Sequence, residues 1–211
     1  TLALHDALPI SKSEANPGVS PHEPVVKQGN YTHIHPIDWV RNEKKVHNPK
    51  EISGSQDNPR IQWYLEHCDN IGGFKDGKLH HDEVPWCSAL PNAAADACGC
   101  FKTNNALASS WDKYSQYGAK KFKKGDRIPE GSLVRIAHPG GHITLANESF
   151  VWTGRGTFPG LGGNQSNRIN VSEYDQAHIV SIHGWAPKPG TALAPIGTAP
   201  GAVDQVGGST K

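Results

Sequence analysis

Little in this chain pulls it toward one charge sign, one membrane or one crosslinked scaffold. Its 21 Lys and Arg nearly balance its 20 Asp and Glu across 211 residues. No basic stripe stands out, which argues against nucleic acid as a partner. The longest basic run, Lys120-Lys121-Phe122-Lys123-Lys124, reads as a solvated surface turn. No apolar run approaches the roughly 20 residues of a membrane helix, so no membrane partner is expected. The N-terminus lacks a charged region followed by an apolar core, and no secretory signal is expected. The four cysteines, Cys68, Cys87, Cys98 and Cys100, are too few and too unevenly spaced for a disulfide scaffold. Cys98-Gly99-Cys100 is too tight for a zinc knuckle and reads as two small residues at a helix end, with a disulfide to Cys68 as the alternative. There are no internal repeats, and a monomer is expected.

What is present is a modest apolar content, 36%, with 23 Gly and 16 Pro. That suits one loop-rich domain with tails. Residues 1–30 carry Pro9, Pro17, Pro21 and Pro24 with few periodic apolar positions, and read as a disordered tail. Within them, His5-Asp6-Ala7-Leu8-Pro9-Ile10 resembles a translated sequencing adaptor and is set aside from fold reasoning. Residues 31–187 form the expected domain, and the Pro-, Gly- and Ala-rich residues 188–211 read as a second disordered tail.

Inside the domain, Asn58 caps a predicted helix over residues 59–68, with Pro59 at its first position and Ile61, Tyr64, Leu65 and Cys68 on one face. The small, Ala-rich segment from Trp86 to Asp96 predicts a tightly packed helix, shortened or kinked by Pro91. A further helix is predicted over Leu107–Tyr117. From Gly131 the apolar period changes to that of strands: Ser132–Ala137, His142–Ala146, Phe150–Thr153, Arg168–Val171 and Ile179–Trp185. Helices first and an antiparallel sheet afterwards make an α+β layout.

The chemistry-bearing residues fall at the joints of that layout. Cys87 sits at a predicted helix start, where the helix's positive end favours a thiolate. His142 opens a strand, and Gly162-Gly163-Asn164-Gln165-Ser166-Asn167 supplies amides. Thiol, imidazole and an orienting polar group are the minimum parts of a cysteine hydrolase. Backbone N–H groups at the same helix end can hold an oxyanion.

Several blocks in this order resemble the NlpC-type and CHAP-type peptidoglycan cysteine hydrolases of the papain-like superfamily, in their phage-lysin and secreted-toxin branch. They are Glu51-Ile52-Ser53-Gly54, Asn58-Pro59-Arg60-Ile61, Tyr64-Leu65, Pro85-Trp86-Cys87-Ser88-Ala89, Ala106-Leu107-Ala108-Ser109-Ser110-Trp111, Gly141-His142-Ile143, the Gly162–Asn167 segment and Ile169-Asn170-Val171-Ser172. The resemblance spans roughly residues 45–187. It implies a papain-like fold, helices packed on a central antiparallel sheet, that hydrolyses an amide bond in the peptide part of peptidoglycan. Cys87 carries over as nucleophile, His142 as general base and Asn164 as third residue, with Gln165 in reserve as oxyanion or substrate donor. Ser88 joins the oxyanion or substrate contacts, and Trp86 and Trp111 wall the cleft or pack the core. Where the family has Phe-Val-Asn-Trp after Cys-Ser-Ala, this chain has Leu90-Pro91-Asn92-Ala93, and Thr144 interrupts the apolar His strand.

The implied protein is an endolysin endopeptidase made in the cytoplasm and acting on the wall after release. An amidase or an interbacterial toxin on the same fold, a non-catalytic wall-binding module and a metal-dependent hydrolase are the alternatives. No cofactor is expected. A calcium site from Asp76, Asp82 and Glu83, or zinc at His80 and His81, ranks below a plain solvated loop. His33, His35 and His47 have no spacing that makes a metal site.

Overall fold

The computed structural model describes residues 34–53, 56–69, 81–82 and 84–198. The N-terminal tail, Asp76, His80, Glu83, His33 and residues 199–211 lie outside the described residues.

Three helices come first. Helix α1, Pro36–Val46, has His35 as its cap, whose Nδ1 accepts from the Ile37 N–H, and Pro36 at its first position. Asp38 in the first turn and Lys44 and Lys45 in the last match the helix dipole. Its buried face carries Ile37, Trp39, Val40 and Glu43. Sequence reasoning missed this helix and set His35 and His47 aside as lacking metal-site spacing; they are its two caps. Helix α2, Pro59–Leu65, starts as predicted at Asn58, whose side chain accepts from the Arg60 N–H, but it ends a turn early. Helix α3, Ala89–Ala97, is fully buried at Ala89, Ala93, Ala94 and Ala95. Pro91 falls in its first turn, where its missing N–H has no intrahelical partner to lose, so it does not break the helix.

The segment Ala108–Tyr117 is a 3₁₀ helix. Ala108, Trp111 and Tyr114 are buried and Tyr117 packs on the same core, so the core-facing residues recur every third position. Three residues per turn is the period that keeps all four on one side.

Eight strands follow: β1 Lys121–Phe122, β2 Arg127–Ile128, β3 Leu133–Ile136, β4 His142–Ala146, β5 Phe150–Val151, β6 Thr157–Gly162, β7 Asn170–Asp175 and β8 Ile179–His183. Six make an antiparallel sheet in the order β1-β8-β3-β4-β6-β7, and β2 pairs with β5 apart from it. The protein is thus mixed α+β, with helices and a six-stranded antiparallel sheet. Strand β6 was not predicted, because Pro159, Gly160 and Gly162 are poor strand formers. Gly160 is required there: a Cβ would lie 2.7 Å from the Thr144 side chain and 2.9 Å from Tyr174.

Strand alternation divides the interior. Leu133, Ile143, Leu145 and Leu161 join the helices in one cluster, while Val134, Ile136, Ala146, Phe158 and Ile182 form a second cluster with Phe122 and Ile128. The four cysteines are free and buried, so no disulfide joins Cys68 to Cys98 or Cys100. The packed chain also runs past residue 187. Pro187 bridges to Cys100, Lys188 N–H donates to the Gly99 carbonyl, Gly197 N–H donates to Asp38, and Leu193 and Ile196 pack on the helical core. Residues 188–198 are therefore part of the domain rather than of a disordered tail, because those two apolar side chains anchor a polar stretch.

One buried ion pair ties α1 to α2. Arg60 Nε and Nη2 donate to the two carboxylate oxygens of Glu43 at 2.9 and 2.6 Å, and Tyr64 Oη–H donates to the same group at 2.6 Å. Glu43 and Arg60 are 0% and 4% exposed, so removing one partner strands a desolvated charge. Glu43→Ala is expected to cost about 3–5 kcal/mol of stability, read from chemical denaturation. A loss below about 1 kcal/mol would mean that the pair does not hold the helices.

Candidate active site

Cys87 lies in the turn just ahead of α3, two residues before its first residue, Ala89. Its approach is held by a buried carboxylate. Asp82 Oδ2 accepts from the N–H groups of Ile52 and Asn58 at 2.7 and 2.8 Å, and Asp57 accepts from Asp82 N–H at 2.9 Å. His81 pairs with Asp57 at 2.9 Å. Among the described residues no group of three or more His, Cys, Asp or Glu could hold a metal ion. His81 and Asp82 tie Ile52, Asp57 and Asn58 to the stretch of chain entering Cys87.

Trp86 and Trp111 are both fully buried, so neither walls a cleft. Trp86 stacks on Tyr64 at 6.0 Å and donates its indole N–H to Glu51 at 2.9 Å. Trp111 donates its indole N–H to Ser88 Oγ at 2.8 Å, and Ser88 donates to the Asn105 carbonyl at 2.6 Å. The Ser88 side chain is thereby committed to the scaffold, and only its backbone N–H faces the thiol. Asn92 keeps the place of an amide in the helix: it donates to Ser88 and Asn105 carbonyls and accepts from the N–H groups of Thr103 and Asn104.

His142 is the first residue of β4, and Thr144, two residues on, shares its face. Strand β6 pairs with β4 only at Leu145 and Ala146, so the His142 end extends beyond that ladder. There the Ile143 N–H faces the Cys87 thiol, together with the N–H groups of Ser88 and of Cys87 itself. Cys87 and His142 are thus both grouped around one strand end. Among the described residues no hydrogen bond joins Cys87 to His142 directly.

The loop after β6 brings an amide to His142, and it belongs to Gln165, the reserve expectation, rather than to Asn164. Asn164, Ser166 and Asn167 all take left-handed backbone, with φ of 55°, 57° and 60°. Asn tolerates that conformation better than most residues. This backbone turns Gln165 inward, where it is 4% exposed, and leaves Asn164 half-buried. Gln165 Nε2 lies 3.3 Å from His142 Nε2 and 3.0 Å from Thr144 Oγ1. The other amide atom, Oε1, is buried with no hydrogen-bond partner. Turned end for end, the amide would set its carbonyl oxygen on the same two groups, accepting from an Nε2–H imidazole and from the Thr144 hydroxyl. Only with the amide so turned is Nε2 the protonated nitrogen and Nδ1 left free to take a proton from the thiol.

Two glycines make room for this loop. A Cβ on Gly163 would lie 2.5 Å from Trp86, and one on Gly162 would lie 2.6 Å from Gln165 Nε2. Glu51 spans both halves of the site, with its carboxylate on Trp86 and its N–H donating to the Asn167 carbonyl at 2.9 Å. Sequence reasoning missed two residues. Tyr174 of β7 stacks on the imidazole, centroids 5.5 Å apart, and Thr144 is the second partner of Gln165. Thr144 was visible as a polar break in an apolar strand; Tyr174 lay past the predicted end of its strand and carried no signal.

Burial pushes the His142 imidazole down to about 4, helped by His138 and Arg135. Burial also pushes the Cys87 thiol up, partly offset by the three N–H groups and by Arg135. At neutral pH the pair is therefore thiol and neutral imidazole, not thiolate and imidazolium. Comparison with protein-family models, curated proteins and solved structures found no match to this chain.

The low imidazole value has a pH consequence. The unfolded chain takes up the His142 proton near its ordinary 6.5, before the folded chain does. The stability from this site is then full above that pH and drains away as pH falls toward about 4. Denaturation midpoints between pH 7 and 4 should fall, and His142→Asn should flatten that fall. An unchanged slope in the variant would exclude a buried neutral imidazole.

Proposed function

We propose that the protein is a peptidoglycan hydrolase of the papain-like, NlpC/CHAP type, which cuts an amide bond in the peptide part of the bacterial wall. The observation that carries this reading is the Gln165 amide seated on His142 Nε2, beside a strand end whose N–H faces the Cys87 thiol. An orienting amide, an imidazole and a thiol are the parts of acyl-transfer chemistry. The site needs no charge in its resting state. Cys87 Sγ attacks the amide carbonyl while its proton passes to His142 Nδ1. The N–H groups around Cys87 lower the cost of the negative charge that develops. His142 then protonates the leaving amine, the C–N bond breaks, and water resolves the thioester with His142 as base.

The helices-on-sheet arrangement is read here as the papain-like form, and the wall substrate rests on the resemblance of the Cys87, His142 and Gly162–Asn167 blocks. The setting that fits is a phage endolysin endopeptidase, synthesised in the cytoplasm and active on the wall after release. Among the described residues no helix is long and apolar enough to cross a membrane.

Purified peptidoglycan digested by the wild type should release soluble fragments whose masses name the bond, and Cys87→Ala should release none. Lysis by a folded Cys87→Ala protein would end the proposal. The third residue is tested separately. Gln165→Ala is expected to lower kcat on the order of 10- to 100-fold by freeing the imidazole, with KM little changed. Asn164→Ala should lower it much less, and the reverse order would return the role to Asn164.

A further inference from the structure

Arg135 is the charged residue of this site that the chemistry above does not use. It stands on β3 opposite Ile143, so its side chain leaves the sheet on the face that packs against Cys87 and α3. The side chain is 14% exposed. It reaches back along the sheet to the His142 turn, where a Cβ on Gly141 would lie 3.0 Å from Nη2 and 3.1 Å from Cζ. Gly141 has a φ of 75°, so glycine serves both the turn and the guanidinium there.

The guanidinium is poorly matched by the protein. Nη1 is spent on the Ile136 carbonyl. Nε is buried with no hydrogen-bond partner. The nearest carboxylate, Asp112, is 4.0 Å from Nε and accepts instead from Ser181 Oγ at 2.9 Å. Nη2 has no hydrogen-bond partner among the described residues. The charge acts on both Cys87 and His142. A buried Arg is ordinarily paired, and a fork with open donors beside a nucleophile is built to take a planar anion.

We propose that Arg135 forms a carboxylate-binding subsite next to Cys87, which selects substrates bearing a free carboxylate close to the scissile carbonyl. The identity of that carboxylate rests on the wall-peptide reading. D-glutamyl and diamino-acid residues of such peptides carry one beside the amide bond, and amidated peptides lack it. The subsite itself does not depend on that reading.

The test uses two alkylating agents that differ only in charge at the relevant position, iodoacetate and iodoacetamide. In both, the Cys87 Sγ–C bond forms, the C–I bond breaks, iodide leaves, and the thiol proton passes to His142 or solvent. Rates at Cys87 are read by peptide mass spectrometry on the full chain near pH 7. The ratio of iodoacetate to iodoacetamide rates should fall about tenfold in Arg135→Gln and by less in Arg135→Lys, which keeps the charge but not the fork. An unchanged ratio in a folded Arg135→Gln protein overturns the proposal. Should that variant not fold, the wild type carries the test. N-acetyl-D-glutamate should slow iodoacetamide at Cys87 while its diamide should not, and equal effects overturn the subsite. Absence of wall digestion leaves these ratios unaffected, so the subsite and the hydrolase reading fail separately.

Discussion

The placement of Trp86 is the constraint on which the rest of the site depends. Its indole is fully buried, stacks on Tyr64 of α2 and hydrogen-bonds Glu51, and it lies against Gly163 with no room for a methyl group between them. Four separate stretches of chain meet at this one side chain. Burying an aromatic of this size removes roughly 150–250 Å² from water, a large share of the marginal stability of one domain. Because Cys87 is the next residue, the packing that stabilises the core also sets the thiol against the end of β4. The Ala-rich helix α3 packs on α1 and α2, and its small side chains allow the close approach that fixes the turn carrying Cys87.

Electrostatics at the site follow from the same close packing. A dry environment disfavours both the imidazolium and the thiolate, so the resting pair is neutral. That raises the cost of making the nucleophile, and the backbone N–H groups around Cys87 are the compensation, already oriented and unable to rotate away. The amide of Gln165 offsets a different cost. An imidazole free to turn would lose time in unproductive orientations; one held through Nε2, with Tyr174 against its face, does not. Gln165 is held in turn by Thr144, which lies on the same side of β4 as His142 because strand side chains alternate.

Much of the local structure was legible from residue types. Asn58 with Pro59 marked the start of α2, the period-two runs marked β3, β4 and β8, and small residues marked α3. The strand of Thr157–Gly162 was not legible, because Pro159 and its two glycines are selected by what approaches them rather than by strand propensity. Helix α1 was not predicted, although His35-Pro36 is a sound helix start. For Trp86 and Trp111 the sequence left a cleft wall and core packing both open, and full burial decides for the core.

Residue chemistry and order along the chain determined that a thiol, an imidazole and an amide-rich loop were available, and that helices would precede an antiparallel sheet. Which amide meets the imidazole was decided only by the tertiary structure. Asn164 and Gln165 are neighbours with the same functional group, and no local rule separates them. The left-handed backbone at Asn164, Ser166 and Asn167 does, by bringing the Gln165 side chain and not that of Asn164 onto His142. Likewise, nothing in the sequence around Arg135 marks it. Its meaning comes from a register that pairs it with Ile143 and from a glycine at 141 that lets the guanidinium lie against the His142 turn. Side-chain identity is local, but the direction a side chain points is set by backbone angles and strand pairing, which depend on contacts distant in the chain.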